Sequence, residues 1–289
     1  MTELAAPAAG SETRAARQER LRLLVRSPSF VVGACILGFW IACAIVGERL
    51  TPYDPIFDQT PDLGVAPSSE YWFGTDRLGR DVFSRVIAGS RDILLVAPMA
   101  VLLATILGTT LGLMTGYFRG IADDTMSRVI DAVLAIPLIV LAVTVVAALG
   151  SRSVWSVTVV IAIVFSPIIA RTVRAAVLGE AQLDYVEAAR LRGERPPYVM
   201  FMEVLPNVMP PILAEATVRL GYAIFAVATL TFIGFGLQPP SADWAVQVAD
   251  NYPFLSDQWW TVLFPALAIS SLVVAVNLVS DSIQQVLER

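Results

Sequence analysis

The sequence predicts an all-α integral membrane protein with six transmembrane helices, and three observations carry that prediction. Of the 289 residues, 56% are apolar and only 16% are charged, too few charges for a soluble domain of this length. Charge-free apolar runs recur at 27–47, 93–118, 132–151, 153–170, 220–242 and 258–280, each close to the roughly 20 residues that a helix needs to cross a bilayer. Hydrocarbon offers no partner to a bare backbone N–H or C=O, so such runs fold as helices and not as open strands.

Charge placement orients the chain. The tail at 1–27 carries Arg14, Arg17, Arg20, Arg22 and Arg26, which the positive-inside rule holds in the cytoplasm. The first helix then spans 28–50, an ordered extracytoplasmic loop 51–92, a core of five further helices 93–283, and a cytoplasmic C-terminus 284–289. Arg119 and Arg128 fall in the next inner loop, and Arg171, Arg174, Arg190, Arg192 and Arg195 around the polar stretch that follows the fourth run. The last outer loop holds Asp243, Asp250 and Asp257 without an arginine. The rival for the first run is a cleaved signal peptide, with Ala42-Cys43-Ala44 as its cleavage site. Removing it leaves five spans and reverses the charge argument.

Composition excludes several chemistries. All 20 basic residues are arginine and there is no histidine, so a lysine phosphate loop, a Schiff-base lysine and an imidazole base or metal ligand are ruled out. Cys35 and Cys43 both lie in the first apolar run and form no disulfide framework. No basic, aromatic-interleaved surface for nucleic acid is present.

The organising stretch is the polar island from Asp184 to Pro206. Asp184, with Glu187 three residues on, suits a capping box. Gly193 suits a left-handed helix stop. Pro196 and Pro197 suit the first turn of a second helix, which Pro206 is expected to end. Ala188 and Ala189 beside Glu187 give a small-residue face.

Glu187-Ala188-Ala189, Gly193 and Leu205-Pro206 stand at the spacing of a known signature, and the stretch resembles the coupling loop of the membrane-spanning permease subunits of binding-protein-dependent ABC importers. The resemblance implies a type I importer permease fold. It also implies that 175–206, with Tyr185, Glu187, Ala188, Ala189, Gly193, Leu205 and Pro206, sits in a cleft of a separate ATPase subunit. Glu203 departs from the family pattern, where an apolar or basic residue is more usual.

Two further motifs narrow the resemblance. The run Gly74-Thr75-Asp76, Gly79-Arg80-Asp81, Ser84-Arg85 looks like that of the C-type permeases of dipeptide, oligopeptide and nickel importers. Its alternating Asp and Arg with glycines suits a tight hydrogen-bonded turn assembly at the outer mouth, although from the residues alone a solvated charged loop is the favoured reading. At the end of the fifth run, Gly234, Gly236, Gln238, Pro239, Pro240 and Trp244 match the same group, with Ala245 in place of a glycine. The glycines let the helix unwind and the prolines hold the exit extended. Trp259 and Trp260 open the last run as an interfacial anchor.

Within the membrane, Gly108, Gly112 and Gly116 give the second span a smooth face for close packing. Pro98, Pro137 and Pro167 permit kinks. Glu215 and Arg219 lie four apart on one helical face; either the fifth span starts near Pro210 and they pair on its cavity side, or it starts later and both lie at the interface with Arg219 snorkelling. Asn277 and Asp281 stand toward the inner end of the last span.

The resemblance implies a permease that forms half of a pathway for di- or oligopeptides. Its partners would be a second homologous permease, two ATPase subunits that hold ATP and magnesium, and an extracytoplasmic substrate-binding protein. This chain itself holds no cofactor and performs no covalent chemistry. Residues 54–91 and 238–259 are expected to dock the binding protein, with Asp76 and Asp243 contributing. Nickel chelates and porphyrins stay open as substrates. An ion-coupled transporter is the rival, but only Glu215 and Asp281 qualify as intramembrane carboxylates.

Overall fold

The computed structural model describes residues 24–150 and 153–287; Arg14, Arg17, Arg20 and Arg22 of the tail lie outside them. Ten α-helices follow in order among these residues: α1 Pro28–Leu50, α2 Val82–Tyr117, α3 Ile121–Leu134, α4 Leu138–Leu149, α5 Val154–Glu180, α6 Asp184–Leu191, α7 Pro196–Tyr198, α8 Leu205–Phe232, α9 Trp244–Asn251 and α10 Trp260–Leu287. A π-helical stretch, Val199–Val204, joins α7 to α8. Five helical segments are long and apolar enough to span a membrane, or six if α3 and α4 together make one. Among the described residues no strand forms beyond one isolated bridge, Thr75 to Asp81.

The third apolar run departs from expectation. It holds only the end of α3 and then α4, and these two helices are bent by 98° around residues 135–137. Pro137 has no N–H for a continuous ladder, and its ring restricts Ile136 to extended backbone. Pro98 and Pro167, by contrast, lie inside unbroken helices.

Four helix boundaries also differ from the ends of the apolar runs, three lying outside them and one inside. Helix α2 starts at Val82, not Ile93, because Asp81 caps it by accepting the Ser84 N–H. At about 1.5 Å per residue its 36 residues reach roughly 54 Å, well beyond a hydrocarbon core of about 30 Å. Helix α5 continues to Glu180, carrying Arg171 and Arg174, and α10 runs on through Asp281. Helix α8 ends at Phe232, ten residues before the end of the apolar run at Ala242, because Gly234 turns the chain at φ 83°.

The most extensively packed helix pair is α2 with α5. A Cβ on Gly108, Gly112 or Gly116 would come within 2.6–2.7 Å of Ile169, Val173 or Val177 respectively. A groove of glycines on α2 thus receives a ridge of β-branched side chains on α5, also spaced by four. Helix α10 packs on α1 and α8, where Trp40 donates from Nε1 to Ser271 Oγ at 2.9 Å.

Candidate functional site

The bracket after α5 is built by local rules. Helix α6 begins at Asp184, with Leu183 extended at the cap and no side-chain cap bond. The expected capping box therefore does not form. The Leu183 carbonyl already receives the Val186 and Glu187 N–H groups at 3.0 and 3.3 Å, which places Asp184 inside the first turn. There Asp184 and Glu187 favour the positive end of the helix dipole.

The other end of α6 closes as expected. Gly193 adopts φ 78°, its N–H reaches the Arg190 carbonyl at 2.9 Å and the Glu194 N–H reaches that of Ala189 at 3.2 Å. This crossed pair is a Schellman stop. Pro196 and Pro197 then open α7.

Pro206 does not end the second helix. The π-helical stretch absorbs it, the Leu205 N–H reaching back five residues to Met200. A widened turn gives the proline ring the room that an α-turn denies it. One helical rod consequently runs from Pro196 to Phe232, 37 residues.

Side chains lock this bracket to the bundle. The Tyr185 hydroxyl donates to Glu180 Oε1 at 2.8 Å and accepts from Asn207 Nδ2 at 3.0 Å. Burial, then the Glu180 carboxylate, pushes its pKa up to about 12. Arg190 lies over the Tyr117 ring at 4.6 Å, with Nε 3.2 Å from its hydroxyl. Arg192 reaches Glu203 across the turn at 3.4 Å, so the residue that departs from the family pattern closes the bracket.

Helix α6 presents two unlike faces. Val186 and Ala189 are fully buried, whereas Glu187 and Ala188 are exposed and Leu191 is 84% exposed. A concavity of about 610 Å³ borders this face, with Tyr117, Arg119, Glu187 and Arg190 on its walls.

At the opposite end of the bundle, the two remaining motifs meet. Asp76 Oδ1 accepts the backbone N–H groups of Leu78 and Arg80 at 2.9 and 3.0 Å, and Oδ2 accepts Arg80 Nε at 2.7 Å. Gly74 and Gly79, at φ 75° and 76°, make the turn possible. Asp81 accepts from Ser84 through both its N–H and its hydroxyl, at 2.8 and 2.6 Å. Arg85 is 1% exposed and donates to the carbonyls of Pro55 and Ser241, both at 2.8 Å. One guanidinium thus joins the long loop, α2 and the segment after α8.

Helix α9 completes this platform. Trp244 donates from Nε1 to Val86 at 2.7 Å and stacks edge-on against Trp40 at 4.7 Å. Thr75 accepts from Trp260 Nε1 at 3.1 Å, so Trp260 is a buried tie and only Trp259 stands in an exposed, anchor-like position. Gln238 turns back onto the carbonyls of Gly234, Gly236 and Leu237, and the Pro239–Pro240 peptide is cis. Asp76 and Asp243 are each 1% exposed. Their carboxylates hold the platform from inside and do not face an outer partner.

Midway along the rod, Glu215 and Arg219 pair at 2.5 Å, their side chains 16% and 20% exposed.

The sequence reading missed the Asp123–Arg174 and Tyr117–Arg190 contacts. Each joins residues more than fifty positions apart.

Comparison with known proteins decides the family. Residues 108–289 match the binding-protein-dependent transport system inner membrane component. The chain belongs to this family. Relatives of this permease include the dipeptide transport system permease protein DppC of Alkalihalophilus pseudofirmus, 36% identical over 94% of this chain and 89% of that one. The probable D,D-dipeptide transport system permease protein DdpC of Escherichia coli is 38% identical over 92% and 89%. The glutathione transport system permease protein GsiD of Pectobacterium atrosepticum is 36% identical over 94% and 90%. In fold, the permease resembles an inward-facing conformation of the MetNI methionine ABC transporter, with TM-score 0.58 and 20% identity, over 72% of this chain and 98% of that one.

Proposed function

We propose that this permease subunit of an ABC importer forms half of a translocation pathway for di- or oligopeptides, paired with a second, homologous permease. The bracket faces the cytoplasm and seats in a cleft of an ATPase subunit, which holds the ATP and magnesium. The platform faces outward and receives peptide from a substrate-binding protein. The names of the relatives, dipeptide and glutathione permeases among them, support the substrate class.

The observation that carries the coupling is the unbroken rod from Pro196 to Phe232. Its foot is the bracket, its middle bears the Glu215–Arg219 pair, and its far end meets the platform. A continuous helix carries a displacement along its length, so closure of the ATPases moves the pathway wall through this rod.

Purification of the tagged chain from native membranes in mild detergent tests this. The expected companions are a second permease and ATPase subunits, lost on Glu187→Arg. Deleting the chain is expected to abolish uptake of labelled dipeptide. A chain recovered alone, with uptake intact in the deletion strain, would overturn the reading.

A further inference from the structure

Two cavities flank the rod where the charged pair sits. One, about 450 Å³, is lined by Thr172, Pro210, Pro211, Glu215 and Gln284 among others. The other, about 410 Å³, takes in Tyr222, Phe225, Asn277, Ser280 and Asp281, and the two share Val218 as a common wall. Both fall in the range of about 300–1,000 Å³ usual for small-ligand pockets.

The charge on these walls is unbalanced. Glu215 and Asp281 are lining carboxylates, while Arg219, the neighbouring cation, is drawn to Glu215 and lies 5.3 Å over the Tyr222 ring. Arg219 lines neither cavity. Each cavity thus has one carboxylate and no cation in its lining, which leaves the walls negative with Arg219 as the neighbouring counter-charge. A carboxylate kept on a cavity wall within a span is costly unless a cation meets it. Arg219 meets it when the cavity is empty, and a transported cation can replace Arg219.

We propose that Glu215 is the acceptor for the free α-ammonium group of the transported peptide, and that the ammonium exchanges with Arg219 as the peptide passes. This rests on the peptide-importer reading above. Arg219, seated on Tyr222, is then a positioning residue that holds the empty carboxylate in place. The exchange is a swap of ionic partners with no covalent step.

Cysteine labelling in membrane vesicles carrying the whole importer tests it. Thr172→Cys, in a Cys35→Ser/Cys43→Ser background, puts a thiol on the same wall as Glu215. Millimolar alanyl-alanine is expected to slow its labelling by a methanethiosulfonate reagent several-fold, and N-acetyl-alanyl-alanine to leave it unchanged. Glu215→Gln should remove the protection and Glu215→Asp should retain part of it. Equal protection by both peptides, protection surviving Glu215→Gln, or no protection while dipeptide uptake is intact would each overturn the proposal. If uptake were absent from the unmutated importer, the peptide reading would itself have failed.

Discussion

Arg174 grips Asp123 through two parallel hydrogen bonds, Nε to Oδ1 at 2.7 Å and Nη2 to Oδ2 at 2.8 Å, tying the amphipathic helix α3 to α5. The carboxylate is nearly buried, 8% exposed, and also accepts from the Ser127 hydroxyl at 3.1 Å. The companion pair, Arg171 with Asp131, is solvent-exposed at 3.6 Å and contributes little. Asp123→Ala is expected to cost about 1.5–3 kcal/mol, the range for a hydrogen bond to a charged group, and Asp131→Ala close to nothing. Thermal unfolding of the purified protein checks both, and equal losses would show that the bidentate geometry does not matter.

The glycine groove on α2 makes a sharper prediction. Gly112→Ala places a methyl group 2.6 Å from the Val173 Cβ and 2.7 Å from the Ala170 carbonyl. Overpacking of this kind typically costs about 1–3 kcal/mol. Gly38, on α1, has nothing within 4 Å of the same added atom, so Gly38→Ala should be neutral or mildly stabilising, because alanine favours helix over glycine by about 1 kcal/mol. A pair of melting curves separates steric fit from helix propensity. A destabilising Gly38→Ala of equal size would refute the steric account.

The glycine groove was legible in the sequence because a spacing of four is a local, one-dimensional signal, as were Gly193 as a helix stop and the Glu215–Arg219 pair. What Pro206 and Pro137 do was not. A proline removes one hydrogen bond wherever it falls, but whether the chain bends, breaks or widens into a π-turn depends on packing. At 206 the side chains of Asn207 and Tyr185 converge on the Glu203 carbonyl and the rod continues. At 137 the two segments separate. Asp76 and Asp243 mislead for a related reason: an acidic residue in a polar loop reads as solvated, and although the backbone N–H groups that hold each one lie within four residues of it, its burial comes from the tertiary fold.

Asp243 gives the platform a dependence on pH. Its carboxyl caps α9 by accepting the Ala245 and Val246 N–H groups at 2.9 and 3.1 Å, while Oδ2 is buried with no hydrogen-bond partner. Burial, with the Asp92 charge adding to it, raises its pKa from 3.8 to about 7, against the two cap hydrogen bonds and Arg85, which pull it down. The folded state thus keeps a proton that the unfolded state has released. Stability falls as pH rises from about 4 to about 7, at most by about 1.4 kcal/mol per unit, and is flat above that window. Asp243→Asn retains an oxygen to cap the helix and removes the titration. The difference in melting temperature between it and the unmutated protein, followed from pH 5 to pH 8, should grow in favour of the variant. A constant difference would mean that Asp243 is ionised throughout.

Gly193 separates conformation from contact at the bracket. Nothing lies within 4 Å of a Cβ built there, yet φ is 78°, so any side chain has room but must adopt the left-handed region. Asparagine tolerates that region and β-branched residues do not. Gly193→Asn should therefore leave transport near normal, and Gly193→Val should cost about 1–2 kcal/mol locally and unwind the Schellman stop. The stop fixes the direction in which the chain leaves α6 for the rod, so its loss should lower ATPase recovery and dipeptide uptake together, with the bundle still folded. Circular dichroism and co-purification of the two variants distinguish the cases. If Gly193→Asn were as damaging as Gly193→Val, the cause would be a partner pressed against this exposed position, and the cleft would extend over Gly193 itself.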